Sequence, residues 1–516
     1  MNRPNVIMVL ADQHCAGLLG CAGHPQVQTP RLDAFAGSGV RFTEAYCQNP
    51  ICTPSRVSIL SGQYPHNTGY FGLAGPAPDR LPSLFGYFRE HGYRTAGFGK
   101  LHLPLSPRSW VADHVDRFAD SYDTADGRVG ESAYLASLEG LGLRHLEDSW
   151  HNPVDHYGKG TTPGWDAKPS DMPYEHTQER WCVREALRFI DEASDDPAPF
   201  FVQVAFQKPH HPLLPVREFW DLYDDDLDLP PTIDKDPAHR PPTFRHMWQA
   251  ARDDSNWSYG KPGQTWRDGA RRAWRGTLAN ISQADDVFGR LLDGLDDRGL
   301  AEDTIVVYGS DHGCYHTIHG LPEKAPGIGS DAVCRVPMIW RVPGHAHVDR
   351  TCDQLVENVD YAPTLARLCG LPEPDWTDGH DLTALLEGDD HPIRAAAFTE
   401  HPLSKSVRFG RYRMTHYPAS VFGGEYAGEL YDLDADPNET RNLYTEPDHQ
   451  GAVAQGTRLI LDWLAESNRV ATFLPAHFEG NRTLGKRRYP LAADGKLARD
   501  RQPARRVGSI DKPYYL

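Results

Sequence analysis

The 516-residue sequence has no long apolar run. Its first apolar stretch, 6–11, is cut off by Asp12, well short of the ~20 residues a membrane-crossing helix requires and shorter than the core of an export signal. A cytoplasmic protein without a membrane partner is therefore expected. Positive charge is in short supply: 53 Lys and Arg stand against 71 Asp and Glu, a formal net charge of -18. That balance argues against a nucleic-acid partner or an anionic membrane surface. Cysteine lacks organisation. The nine are odd in number, and no pair has zinc-ribbon spacing, so neither a disulfide framework nor a thiolate zinc site is indicated. Cys15, Cys21, Cys47, Cys182, Cys314, Cys334, Cys352 and Cys369 are read as packed thiols in a reducing compartment. No internal repeat is present.

What is there is an ordinary globular composition, 39% hydrophobic with a mean hydropathy of -0.57, on a chain too long for one ordinary core. Apolar strand-like runs at 5–10, 40–45, 95–99, 200–206, 304–308 and 336–341 alternate with helical patterns at 29–39, 81–91, 181–193, 268–298 and 361–369. In the helix at 29–39, Leu32, Phe35 and Ala36 face inward. The alternation predicts an α/β fold, a mostly parallel mixed sheet sandwiched by helices. Residues 113–180 and 221–266 read as long loops, and 65–69 as a break. Short alternating runs over 395–444, among them 407–415 and 429–432, predict a smaller C-terminal α+β domain with an antiparallel sheet. A helix over 451–467 follows, with Leu459, Leu461 and Leu464 apolar. The expected organisation is a catalytic domain over 1–375, a smaller domain over 376–470 and a basic tail over 471–516.

One cysteine stands apart. Cys52 heads the string Cys52-Thr53-Pro54-Ser55-Arg56, followed by Val57, Ile59 and Leu60, which reads as a turn feeding a helix with Pro54 in its first turn. Free N–H groups and the helix dipole there favour an anion, and Arg56 adds a fixed charge one turn on. Taken alone, the string leaves packing and a reactive thiol equally open.

Strand tips carry the other candidates. Asp12 and Gln13 end the first run, and Asp311 and His312 end the run at 304–308. Three of these offer hard oxygen donors suited to Ca²⁺ or Mg²⁺. Lys100 and His102 lie two residues apart, and Lys208 and His210 repeat the spacing, so in extended chain each pair shares a side. His211 is read as a neighbour that packs or hydrogen-bonds. With Lys324 and Arg56 these residues form a local basic set inside an acidic protein.

The string from Cys52 to Arg56 with Gly62 resembles the signature of type I sulfatases, in which the cysteine is oxidised to formylglycine. Further segments resemble that family in order: 29–33, 64–69, 319–324, 335–337, 359–364, 430–433 and 436–439. The resemblance covers about 5–443. It implies an alkaline-phosphatase-like domain and hydrolysis of a sulfate monoester, with a sulfated sugar or an aryl sulfate as the small anionic substrate. It also implies one divalent ion, Ca²⁺ first with Mg²⁺ or Mn²⁺ as alternatives, held by Asp12, Gln13, Cys52, Asp311 and His312. Catalysis falls by the same resemblance to Cys52 as a formylglycine hydrate, Arg56 orienting the hydrate, His102 as base and His210 as general acid. Lys100, Lys324 and Lys208 hold the sulfate oxygens. A formylglycine-generating enzyme is the implied transient partner, and oligomeric state is open. Gln13 departs from the commoner second Asp, as it does in phosphonate monoester hydrolases and choline-sulfatase-like enzymes. A formylglycine-dependent phosphonate or phosphate ester hydrolase is therefore the first alternative, and a metal-dependent phosphoesterase with an unmodified Cys52 the second.

Overall fold

The computed structural model describes residues 3–73, 81–104, 111, 115–120, 132–147, 167–192, 197–253, 265–324, 327, 329–344 and 347–468, with the backbone of 471–472 and 482–483. Most of the basic tail expected over 471–516 lies outside the described residues.

The first apolar run becomes β1 (Asn5–Asp12), and it is buried from Val6 onward, as a central strand covered on both faces should be. Around it lie β2 (Val40–Phe42), β3 (Arg94–Gly99), β4 (Arg117–Asp120), β5 (Phe200–Pro209), β6 (Thr304–Ser310), β7 (Met338–Arg341) and β8 (Arg350–Cys352). Among the described residues they form one eight-stranded sheet in the order β4-β3-β5-β1-β6-β7-β2-β8. The strands from β4 to β6 pair in parallel, and β7 runs antiparallel to both β6 and β2. Alternate residues of β1 enter opposite cores. Val6, Met8 and Leu10 pack with Val57, Ile59 and Leu60 of α2 (Cys52–Ser61). Ile7, Val9 and Ala11 pack with Leu32 and Phe35 of α1 (Pro30–Gly37), Val183 and Phe189 of α3 (Gln178–Glu192), and Phe288 and Leu291 of α4 (Trp266–Asp296). The mixed sheet with helices on both faces is the architecture expected from the sequence.

The C-terminal part adds β9 (Ala396–His401), β10 (Ser404–Phe409), β11 (Tyr412–His416) and β12 (Gly428–Asp432), an antiparallel meander, covered by α5 (Gln450–Ser467). Trp463 of α5 stacks on Phe398 at 4.6 Å between ring centroids and meets Tyr64 edge-on at 5.0 Å. The contact ties this sheet to the chain just after α2.

Several local expectations are corrected. Helices occupy Ala133–Gly140 and Pro242–Ala250 inside stretches read as loops; Pro242 at a first helical position is a start signal, and its neighbour Pro241 gives the stretch the look of a loop. The Cys52 helix ends at Ser61, and Pro65–Thr68, read only as the tract that breaks it, is itself a short separate helical turn. The run at 407–415 is two strands, split at Gly410 with φ 47°. On α5, Leu459 and Leu464 pack beside the buried Ile460 and Trp463, whereas Leu461 is 61% exposed.

The long helix α4 begins with a capping box: Thr265 Oγ1 accepts from Asp268 N at 3.2 Å, and Asp268 Oδ2 accepts from Thr265 N at 3.1 Å. Thr265→Ala should lower stability by about 1 kcal/mol without affecting turnover, as read from paired denaturant midpoints and rates; an unchanged midpoint would show that the cap contributes nothing. No helix among the described residues is long and apolar enough to cross a membrane.

Candidate active site

Parallel neighbours end on one edge of a sheet, and this places polar strand tips side by side. β1 ends in Asp12, flanked by the ends of β5 and β6. The N–H of His210 donates to the Asp12 carbonyl at 3.1 Å, and the N–H of Asp311 to the Ala11 carbonyl at 3.2 Å. β3 delivers Lys100 through Gly99, whose φ is 105° and where a Cβ would lie 2.0 Å from the Ala205 carbonyl oxygen. Only glycine fits that approach.

Facing this edge is the start of α2. Ile51 is its extended N-cap and supplies no side-chain cap, so Cys52 opens the helix beside unfilled backbone N–H groups. All ten residues of α2 are buried. The Cys52 Sγ lies 3.1 Å from His312 Nε2 and 3.6 Å from Asp12 Oδ1. Ligand atoms of Asp12, Cys52, Asp311 and His312 all fall within 4.8 Å of one another.

Around this cluster the charges are paired. Lys100 Nζ lies 2.8 Å from Asp12 Oδ2. The Arg56 guanidinium spans both carboxylates, with Nε 2.8 Å from Asp311 Oδ2 and Nη2 3.1 Å from Asp12 Oδ2, and it also donates to the Lys100 carbonyl. The family resemblance assigns Arg56 to orienting the hydrate; here its guanidinium is engaged by the two acids. Gln13, at φ 69°, donates its Nε2 to Glu323 Oε1 at 2.7 Å. Its Oε1 is buried without a hydrogen-bond partner. Lys324 Nζ lies 2.9 Å from the same Glu323 oxygen.

Burial of this many ionisable groups sets their protonation. Burial would raise the Asp12 carboxyl, but Lys100, His210 and Arg56 outweigh it and hold the group well below the usual range. Burial, then the Asp12 charge, pushes the Cys52 thiol up to about 12. Burial, followed by Lys100, depresses both His102 and His210 well below an ordinary imidazole. Against burial, Glu323 holds Lys324 well above an ordinary ammonium.

A divalent cation fits this donor set. Asp12 and Asp311 supply carboxylate oxygens, His312 a ring nitrogen, and the orphaned Gln13 Oε1 an amide oxygen that a hard cation would satisfy. Three carboxylates, Asp12, Asp311 and Glu323, face three fixed cations, Arg56, Lys100 and Lys324. An added divalent ion would therefore leave the site positive and receptive to an anionic ester.

Asp12, Gln13, Cys52, Arg56, Lys100, Asp311, His312 and Lys324 are thus linked through direct contacts. His102 and His210 feel the charges of Lys100, Asp12 and Lys324. Lys208 pairs with Glu179 at 3.5 Å, and both line a cavity that His210 also borders. His211, read as a neighbour that packs or hydrogen-bonds, lies 2.8 Å from Glu323 Oε2. Nothing local in the sequence marks Glu323: a Glu beside a Lys in a Pro-containing segment looks like solvated surface. The same holds for Asn358, whose Nδ2 donates to the Ser310 carbonyl at 3.0 Å and secures the β6 tip. None of the nine cysteines forms a disulfide, and all but Cys21 are buried.

Comparison with known proteins gives the family. The Sulfatase family model matches residues 4–371, and the model described as N-sulphoglucosamine sulphohydrolase, C-terminal, matches residues 329–463. The chain is 28% identical over 467 residues to choline-sulfatase of Rhizobium meliloti (strain 1021), with 88% of this chain and 85% of that protein covered. It is 27% identical over 461 residues to an arylsulfatase of Clostridium perfringens (strain 13 / Type A), with coverage of 87% and 92%. A phosphonate monoester hydrolase from Silicibacter pomeroyi shares the fold at a TM-score of 0.75 and 21% identity, over 94% of this chain and 100% of that one. The first family match spans the whole eight-stranded sheet and every strand tip described above, and the chain accordingly belongs to the sulfatase family, with its alkaline-phosphatase-like fold.

Proposed function

We propose that the protein hydrolyses a sulfate monoester to an alcohol and inorganic sulfate, with Cys52 matured to formylglycine and one divalent ion, Ca²⁺ in first place, held by Asp12, Gln13, Asp311 and His312. The observation that carries this reading is the setting of Cys52. It opens a buried helix against two carboxylates and an imidazole, with its own thiol pushed up to about 12, a setting that disfavours a thiolate nucleophile and suits an oxygen nucleophile next to a cation. When bound, the ion and the formylglycine hydrate supply the positive charge and the attacking oxygen.

The remaining work belongs to the chain's own side chains. Lys100 and Lys324 are fixed by Asp12 and Glu323, so their ammonium groups can meet sulfate oxygens without reorganising. His210 reaches the leaving oxygen as general acid: neutral in the free protein, it takes up a proton as the anionic ester enters, because the added negative charge raises its affinity for one. His102, held neutral by burial and Lys100, is ready to accept a proton. Lys208 and Glu179, in the cavity that His210 borders, are placed to meet the alcohol half, for which a sulfated sugar or an aryl group is the class we favour.

A second reading, phosphonate monoester hydrolysis by the same residues, is favoured by Gln13 and by the fold shared with the Silicibacter enzyme. A rate panel on aldehyde-containing protein separates the two. The expected result is kcat/KM at least tenfold higher for one of the sulfates (aryl sulfate, sulfated sugar, choline sulfate) than for aryl phosphonate monoesters. A phosphonate preference of that size would replace the proposal with the second reading.

A further inference from the structure

Nothing in the spacing of the sequence singles out Glu323, yet donors converge on its buried carboxylate. Oε1 accepts from Gln13 Nε2 at 2.7 Å, from the Lys324 N–H at 3.0 Å and from Lys324 Nζ at 2.9 Å. Oε2 lies 2.8 Å from His211 Nδ1. The Cys314 thiol adds a weak contact to Oε1 at 3.6 Å.

One of these contacts decides the chemistry of its partner. A primary amide has a donor end and an acceptor end, and a charged carboxylate can only accept. Glu323 therefore requires the nitrogen of Gln13 to face it. The amide oxygen is left on the other branch, buried without a hydrogen-bond partner. The backbone places that residue within the donor set, since the Gln13 N–H reaches Asp311 Oδ1 at 3.2 Å. A reversed amide would set oxygen against oxygen at one end and offer N–H donors to a cation at the other.

We propose that Glu323 is a positioning residue that locks the Gln13 amide with its oxygen presented to the cation, and that Gln13 and Glu323 act as a coupled pair in which at most one member can be an acid. This rests on the reading of Gln13 as a metal ligand. It accounts for the missing second acid at position 13. A carboxylate there would bring more charge to the ion, but it would stand against Glu323 with no proton donor between them. The acid of the pair sits one position outward instead, where it also ties down Lys324 and His211.

The test measures Ca²⁺ alone, by competition with a fluorescent chelator, on the Cys52 form of the full chain, alongside melting in EDTA to confirm folding. Glu323→Ala should weaken Ca²⁺ binding by about 10- to 100-fold, the usual range for losing an outer partner of a ligand. Glu323→Gln, which keeps an acceptor for the Gln13 amide, should lose less and serves if the alanine variant does not fold. Gln13→Glu combined with Glu323→Gln, which exchanges acid and amide, should bind at least tenfold tighter than Gln13→Glu alone. Equal affinities for those two proteins, or wild-type affinity in Glu323→Ala, would overturn the coupling. Wild-type affinity in Gln13→Ala would instead overturn the ligand reading beneath it.

Discussion

Cys52→Ala is expected to reduce kcat on any sulfate ester by at least about ten-thousand-fold, the scale of losing a covalent nucleophile, while the protein stays folded. The alanine removes only Sγ, whose contacts are one at 3.1 Å to His312 and one at 3.6 Å to Asp12. Neither is needed to hold α2, since Ser55 Oγ donates to the Asp311 carbonyl at 2.5 Å and Arg56 bridges Asp12 and Asp311. Cys52→Ser separates the mechanisms further. A serine hydroxyl can accept the sulfuryl group, but it carries no second hydroxyl through which to expel it. One equivalent of alcohol released per site and then arrest, or complete inactivity, is the expected outcome. Sustained wild-type turnover by either variant would sink the formylglycine mechanism. The mass of the peptide carrying Cys52 gives an independent check, because conversion of thiol to aldehyde lowers it, and a fully active protein with an unmodified thiol would favour a metal-dependent phosphoesterase instead.

The parts of this molecule that follow short-range rules are legible in its sequence. β1, β3, β5 and β6 announce themselves as apolar runs ended by polar residues, and a parallel sheet gathers such ends on one edge. That is why spacing alone groups Asp12, Lys100, His210 and Asp311. What spacing does not carry is the pairing of charges across the fold. Arg56 looks like a free cation one turn along α2, yet its guanidinium is engaged by Asp12 and Asp311, residues 44 and 255 positions away. Lys208 repeats the Lys-x-His pattern of Lys100, yet its ammonium answers Glu179. Glu323 gives no local signal because, beside its neighbour Lys324, its partners are Gln13, His211 and Cys314, brought to it by the fold. The helix at Pro242–Ala250 is hidden by its prolines, which mark a helix start as readily as a loop.

The pairing of Arg56 leads to the second large effect. Arg56 is 1% exposed and its two acidic partners are fully buried. Arg56→Ala would leave Asp12 and Asp311 close together, with Lys100, among the described residues, as the remaining fixed cation in contact with either of them. Breaking a buried ion pair from one side costs about 3–5 kcal/mol, and that loss should appear in full when the metal-free protein is melted in EDTA. Calcium should change the result. The variant has lost a positive charge next to the cation position, so its carboxylates attract Ca²⁺ more strongly than those of the wild type. Ligand that binds only the folded state stabilises it, by about 2.7 kcal/mol at a concentration one hundred times Kd. The melting temperature of Arg56→Ala should therefore rise more on going from EDTA to millimolar Ca²⁺ than that of the wild type does. Activity should stay low even with Ca²⁺ present, because Asp12 and Asp311 would no longer be held in register with Cys52. An equal loss of melting temperature in EDTA and in Ca²⁺ would mean that Arg56 serves packing alone and that these two carboxylates do not hold the ion.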